Sequence, residues 1–339
     1  MQNTRTKSGS VGAIVALIIT LVLIGVMAYL GIAFGGLTAI SDAIKGSRYQ
    51  PGAEMARVIE NDQFTKAGEH ILRATYPELE SASDFNQHCY SGAERESSVL
   101  GCYSGDRIYV YDIDNAELDG IKETVLAHEL LHAVWNRMSS KEQKTLYADL
   151  ESTYKAHSNE MSEHMTQYSQ DEYYDELHSI IGSQLSESDM TDALQKHYAK
   201  YFTSQDLIAN YYNSYNAKFK ALEQKAEELS AQIEQHKAEI EALTNQYNAT
   251  YETLVADVED FNARANRPNG FYSRAQFDAE RNQLIARQES LDRMYDQLTT
   301  LIDTTNSLIE QYNNNAIQIG DLYDSVNSRV EKPSSMIEE

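Results

Sequence analysis

His128, Glu129 and His132, the outer and second positions of the run His128-Glu129-Leu130-Leu131-His132, are the residues of this chain whose types and spacing together could do chemistry. On an α-helix, positions i and i+4 project from one face, so two imidazoles can offer nitrogens to a single metal ion about 2.0–2.1 Å away. The glutamate one residue after the first histidine then stands beside the open coordination positions. There it can take a proton from a water molecule as that water attacks a carbonyl. The surroundings separate this reading from a coincidence of common residues. Ile121 to Trp135 is apolar almost all round, with Val125, Leu126, Ala127, Leu130, Leu131, Ala133 and Val134, which marks a helix buried in a core. Two histidines and a carboxylate inside such a helix need partners, because an unpaired buried polar group is costly, and a metal ion supplies them.

The run resembles the motif of the zincin metallopeptidases, which His128, Glu129 and His132 match residue for residue. The resemblance covers Tyr103 to about Gly182 and speaks for a catalytic core alone. It implies peptide-bond hydrolysis with Zn2+ as cofactor, held by His128 and His132, and with Glu129 as general base. The branch turns on the third ligand. Metzincins continue with a glycine three residues after the second histidine and a further histidine three beyond it; here those places hold Trp135 and Met138, which excludes that branch. Gluzincins take a glutamate from a later helix, commonly in the form E-x-x-A or E-x-x-S, and Glu176-Leu177-His178-Ser179 resembles that form. Glu176 is therefore the implied third ligand. Glu172 and Asp175 compete with it, His157, His164 and His178 are weaker alternatives, and a solvated acidic turn is the plain structural reading of this stretch. A tyrosine near the site, Tyr168, Tyr173 or Tyr174, could donate a hydrogen bond to an oxyanion, and the sequence does not choose among them.

Elements must position these residues. Arg107 to Ile113 alternates β-branched and aromatic residues as a strand does, and Asp119-Gly120 then opens the active-site helix. In the family, the edge strand before that helix commonly holds substrate in extended form; a plain structural strand would carry no function. Between Tyr49 and Phe85 the pattern predicts two or three helices, with Phe64-Thr65 opening one and Pro77 ending it.

The amino terminus has no charged residue from Val11 to Ile40. Residues 11–36 are long enough to cross a hydrocarbon layer of about 30 Å as a helix. A cleaved signal peptide is the rival, but the apolar run exceeds the roughly 7–15 residues of a signal's core. Arg5 and Lys7 before the run nearly balance Lys45 and Arg48 after it, so charge does little to set orientation. The two cysteines, Cys89 and Cys102, read as a disulfide closing a short loop, which places the soluble part outside the cytoplasm and residues 1–10 within it.

From Ser204 to about Ala265 an apolar 3-4 rhythm predicts a long helix (Phe219, Leu222, Leu229, Ile233, Leu254, Phe261). Arg267-Pro268-Asn269-Gly270 breaks it, and the rhythm resumes from Phe277 to Val326. An antiparallel coiled-coil hairpin is the economical reading, in which Leu254 approaches Leu284 and Leu229 approaches Ile309; a parallel multi-chain coiled coil is the alternative, in which the central breaker is hard to place. With 28 basic against 52 acidic residues the formal charge is −24, which argues against nucleic acid as a partner.

The expected fold is mainly α (α+β). It comprises a cytoplasmic tail (1–10), a transmembrane helix (11–36), a compact zincin-like helical domain with a small β-sheet (49–203), the hairpin (204–332) and a disordered tail (333–339). The expected function is that of a membrane-anchored, extracytoplasmic zinc metallopeptidase acting on a protein or peptide, with the coiled coil able to bind another protein. A cell-surface scaffold or adhesin built on the coiled coil, without catalysis, is the alternative.

Overall fold

The structure, a computed structural model, describes residues 16–22, 24–25, 37–89, 99–158, 161, 165 and 172–329. The tail at 1–10, most of the span at 11–36, the tail at 333–339, His164 and Tyr168 lie outside them. Residues 16–22 and 24–25 are helical, and their apolar side chains are exposed, Leu17 at 63% and Val22 at 58%. Among the described residues no helix is long and apolar enough to cross a membrane.

The order of elements is α1 (Leu37–Arg48), α2 (Ala53–Asp62), α3 (Lys66–Ala74), β1 (Glu78–Glu80), α4 (Ala82–Cys89), β2 (Gly101–Ser104), β3 (Arg107–Tyr111), α5 (Ile121–Arg137), α6 (Ser140–Ala156), α7 (Tyr173–Gln184), α8 (Asp192–Tyr198), α9 (Gln205–Ala265) and α10 (Arg274–Ser325). The protein is thus mainly helical with one small sheet. Local chemistry accounts for several boundaries. Thr65 caps α3, its hydroxyl accepting from the Gly68 amide at 3.1 Å. Ser139 and Glu142 form a reciprocal capping box that starts α6, satisfying two amides the helix itself leaves unpaired.

The strands run in the order β1-β3-β2, with β1 parallel and β2 antiparallel to β3. The strand read at Arg107–Ile113 ends at Tyr111 and occupies the centre of the sheet. Its backbone is spent on two neighbours, and the edge strand is β2 instead. The β2–β3 hairpin turns at Gly105 and Asp106, both at positive φ (59° and 62°), as a two-residue turn matching strand twist requires. Cys89 and Cys102 form a disulfide with Cα atoms 5.8 Å apart, tying the end of α4 to β2. Closing a loop of this length stabilises the fold by about 3 kcal/mol.

The chain divides into two compact units, residues 1–218 with 324–339, and residues 219–323. In the first, α5 is the axis of the core: Leu126, Ala127, Leu130, Leu131 and Ala133 are completely buried. Its less buried positions from Val125 to Asn136 are His128, His132 and Asn136, one stripe at four-residue spacing. The helix is therefore amphipathic in the inverse sense, wrapped in apolar contacts except along the line that carries the histidines. In the second unit the two long helices run antiparallel, since contacts pair rising with falling numbers: Phe219 with Tyr323, Leu222 with Asn315, His236 with Thr305, Tyr247 with Tyr295, Asp257 with Arg287 and Phe261 with Phe277. Asn315, 4% exposed, donates to the Leu222 carbonyl at 2.8 Å, a buried polar contact of the kind that fixes helix register.

Asp62, at the end of α2, is fully buried and neither carboxyl oxygen has a hydrogen-bond partner. Burial, with the neighbouring Glu123 adding to it, pushes its pKa well above the ordinary carboxylate range. The folded state therefore holds this proton more tightly than the unfolded chain does. Stability is at its fullest below the unfolded aspartate range and falls as pH rises from there toward the folded pKa. Asp62→Asn is accordingly expected to stabilise the protein at pH 7.5 by about 1–3 kcal/mol and to make almost no difference at pH 4. Thermal unfolding at both pH values measures it, and a pH-independent difference would refute this account.

Candidate metal centre

Two helices build the centre. α5 presents His128 and His132 from its polar stripe, and α7 crosses it carrying Glu176, 8% exposed. The donor atoms converge. His128 Nε2 lies 3.1 Å from His132 Nε2 and 3.3 Å from Glu176 Oε1, and His132 Nε2 lies 3.4 Å from Glu176 Oε2. A tetrahedral ion with bonds of about 2.0–2.1 Å separates its ligand atoms by roughly 3.4 Å; the two imidazoles are near that spacing, Glu176 turns a different oxygen to each, and with one atom from each residue the three donors lie within 4.8 Å of one another. His128, His132 and Glu176 form the one metal-capable group of three or more such residues among the described residues.

The outer hydrogen bonds orient both imidazoles. The Ser183 hydroxyl donates to the Ser179 carbonyl at 2.7 Å, leaving its oxygen to accept from His128 Nδ1 at 3.3 Å. His132 Nδ1 donates to Asp175 Oδ1 at 2.8 Å. With each Nδ1 carrying the proton, each Nε2 turns a lone pair inward. Two such lone pairs 3.1 Å apart repel until a proton on one ring or a bound cation lies between them, and Glu176 adds negative charge to the same point. The titration behaviour has the same sign. Burial alone would lower the His132 pKa, but Asp175 and Glu176 outweigh it and raise it well above the usual histidine range. Burial would raise that of Glu176, but both histidines hold it far below the usual carboxylate range. The cluster is a trap for positive charge, and the donor set, two imidazoles and a carboxylate, suits a divalent transition metal ion.

Glu129 is 5% exposed, and burial raises its pKa against the lowering influence of His132 and His128. β2 lies directly upon it: a Cβ added to Gly101 would come within 2.7 Å of Glu129 Oε1 and 2.5 Å of Val125 Cγ1. A glycine at this position lets the edge strand approach the carboxylate.

Of the residues anticipated as third ligand, Glu176 joins the histidines, and Asp175 serves behind them as the partner of His132. Glu172 is exposed and flanks the start of α7. His157 ends α6. His178 faces away from the group, its Nε2 2.8 Å from that of His197, with burial driving both below the usual histidine range. Tyr174 stacks on Tyr147 at 3.7 Å and Tyr173 meets Tyr154 edge-on, so both rings engage α6. Sequence reasoning missed Ser183, although it lies seven residues after Glu176 and so on the same helix face. It also missed Asn136, which extends the 128–132 spacing by one turn, and Tyr103 on β2, whose hydroxyl accepts from Asn136 at 3.1 Å and donates to Asp106 at 2.8 Å.

Because Asp175 holds His132 from behind, through Nδ1, Asp175→Ala is expected to weaken metal binding by about 10–100-fold while keeping one ion per chain at saturation. Competition with a chelating dye reads both quantities. Comparison of the chain with family models, with curated proteins and with solved structures returned no match.

Proposed function

We propose that the protein is a zinc metallopeptidase, anchored in the membrane by residues 11–36 and acting outside the cytoplasm on a protein or peptide. The single observation that carries this reading is the inward-facing triad of His128, His132 and Glu176 with Glu129 one residue from the first histidine, on the one unsealed stripe of an otherwise buried helix. His128, His132 and Glu176 would hold the ion. When bound, zinc supplies Lewis acidity toward a scissile carbonyl and lowers the pKa of water.

The chain's own residues do the rest. Glu129 accepts the proton released as water attacks, and returns it to the departing amine. Asp175 and Ser183 keep both imidazoles in the tautomer that leaves Nε2 free. In this reading residues 204–332 form a coiled-coil hairpin that recruits or spaces the substrate. Removal of metal with a chelator is expected to abolish hydrolysis of an unfolded protein substrate, and stoichiometric zinc to restore it. Full hydrolysis by the metal-free protein would overturn the reading.

A further inference from the structure

We infer that the metal centre is held close to the outer face of the bilayer, and that its substrates are therefore membrane-embedded proteins cleaved in the extracytoplasmic segment adjoining their own span. The inference rests on the anchored-peptidase reading above and deepens it.

The connection between anchor and site carries the argument. The uncharged amino-terminal run leads through Gly35 and Gly36 into α1 at Leu37, and the helical residues before it expose large apolar side chains, Ile19 at 54% and Ile24 at 59%. Apolar surface of that kind calls for an apolar environment, and a bilayer is one. α1 is not a loose tether. Asp42, 4% exposed, accepts from Arg137 Nε at 2.8 Å and Nη2 at 3.2 Å. Arg137 also donates to Asp106 at 2.9 Å, and Asp106 pairs with Lys45 of α1. The Tyr76 hydroxyl donates to the Lys45 carbonyl at 2.9 Å. A buried, two-point arginine–carboxylate pair does not separate without leaving both charges uncompensated, so α1 moves with the domain.

Arg137 belongs to α5, five residues beyond His132. The helix joined to the anchor is therefore locked to the helix that carries the metal ligands. Five helical residues on each side rise about 7.5 Å, and the glycine pair spans at most about 7 Å. With the reach of the Arg137–Asp42 pair, these steps place the metal centre no more than roughly 35 Å from the end of the span, about ten residues of extended chain. A substrate fixed in the same bilayer presents its near-membrane residues at that height, at a raised effective concentration. A site carried farther out could not reach them.

The test uses the full chain in vesicles, alone and with a stiff helical spacer of about twenty residues, near 30 Å long, inserted between Gly36 and Leu37, where it leaves the Asp42–Arg137 joint intact. The probe is a single-span reporter with an unstructured, mixed-sequence outer segment of about forty residues, its cleavage positions mapped by mass spectrometry. In parallel, energy transfer is measured from a fluorophore on Ser140→Cys to a dye in the outer leaflet. The expected result is cleavage clustered within about ten residues of the reporter's span, efficient transfer, and an outward shift of the cuts with weaker transfer in the spacer variant. Weak transfer in the unmodified protein, or cuts spread evenly and indifferent to the spacer, would overturn the inference. Efficient transfer without cleavage anywhere would instead overturn the peptidase reading, and the substrate class with it, while leaving the position of the centre established.

Discussion

Glu129→Gln is expected to lower peptide hydrolysis by about 10²–10⁴-fold, the usual contribution of a positioned proton acceptor, while zinc stoichiometry and thermal stability stay close to those of the parent. The amide has the shape of the carboxyl but no basic oxygen. The side chain lies beside the ligands and is not one of them, so metal content should not follow activity downward. Burial adds a second consequence. The glutamine removes a carboxyl whose pKa is raised by its surroundings, so the residual activity should lose the acidic limb of the pH–rate profile. Steady-state kinetics across pH, with metal analysis of the same samples, decide the matter. Equal loss of zinc and activity would reassign Glu129 to a structural part. Unchanged activity would remove it from the chemistry and favour a scaffold in which the helical hairpin does the work.

The second large effect is expected at the third ligand. Glu176→Ala should reduce zinc affinity by at least about 100-fold, more than any change behind the ligands, because two imidazoles alone leave half the coordination positions to water. Glu172→Ala should leave affinity unchanged, since that residue is exposed where α7 begins, and Asp175→Ala should fall between the two. The order of the three variants is the discriminating result. If Asp175→Ala proved more damaging than Glu176→Ala, the ligand would be Asp175, and the inward face of α7 would have to be rotated relative to α5.

That ordering shows where reading along the chain stops. The 128–132 spacing, the apolar flanks of α5, the caps at Thr65 and Ser139 and the break at Pro268-Asn269-Gly270 are local. Each depends on residues within a turn or two of one another, and the periods of helix and strand turn such spacings directly into shared faces. The long helices follow the same rule, so their starts near Ser204 and Phe277 agree with α9 and α10 within a few residues. The β2–β3 hairpin was equally local: Gly105-Asp106 is a two-residue turn signal, hidden by the shortness of its strands.

What the sequence could not decide lies between elements. Asp175 and Glu176 are adjacent and both acidic, and consecutive helical residues point about 100° apart; which of them meets the histidines depends on how α7 is rotated as it packs on α5. Arg107–Tyr111 alternates as an edge strand or a central one would, and only the pairing of β1 and β2 on its two sides made it central. Arg137 and Asp42 are 95 residues apart and nothing in either neighbourhood announces the other. Which side chains share a face is legible along the chain, because covalent geometry sets it. Which faces meet is not, because that choice comes from burying apolar surface across the whole core.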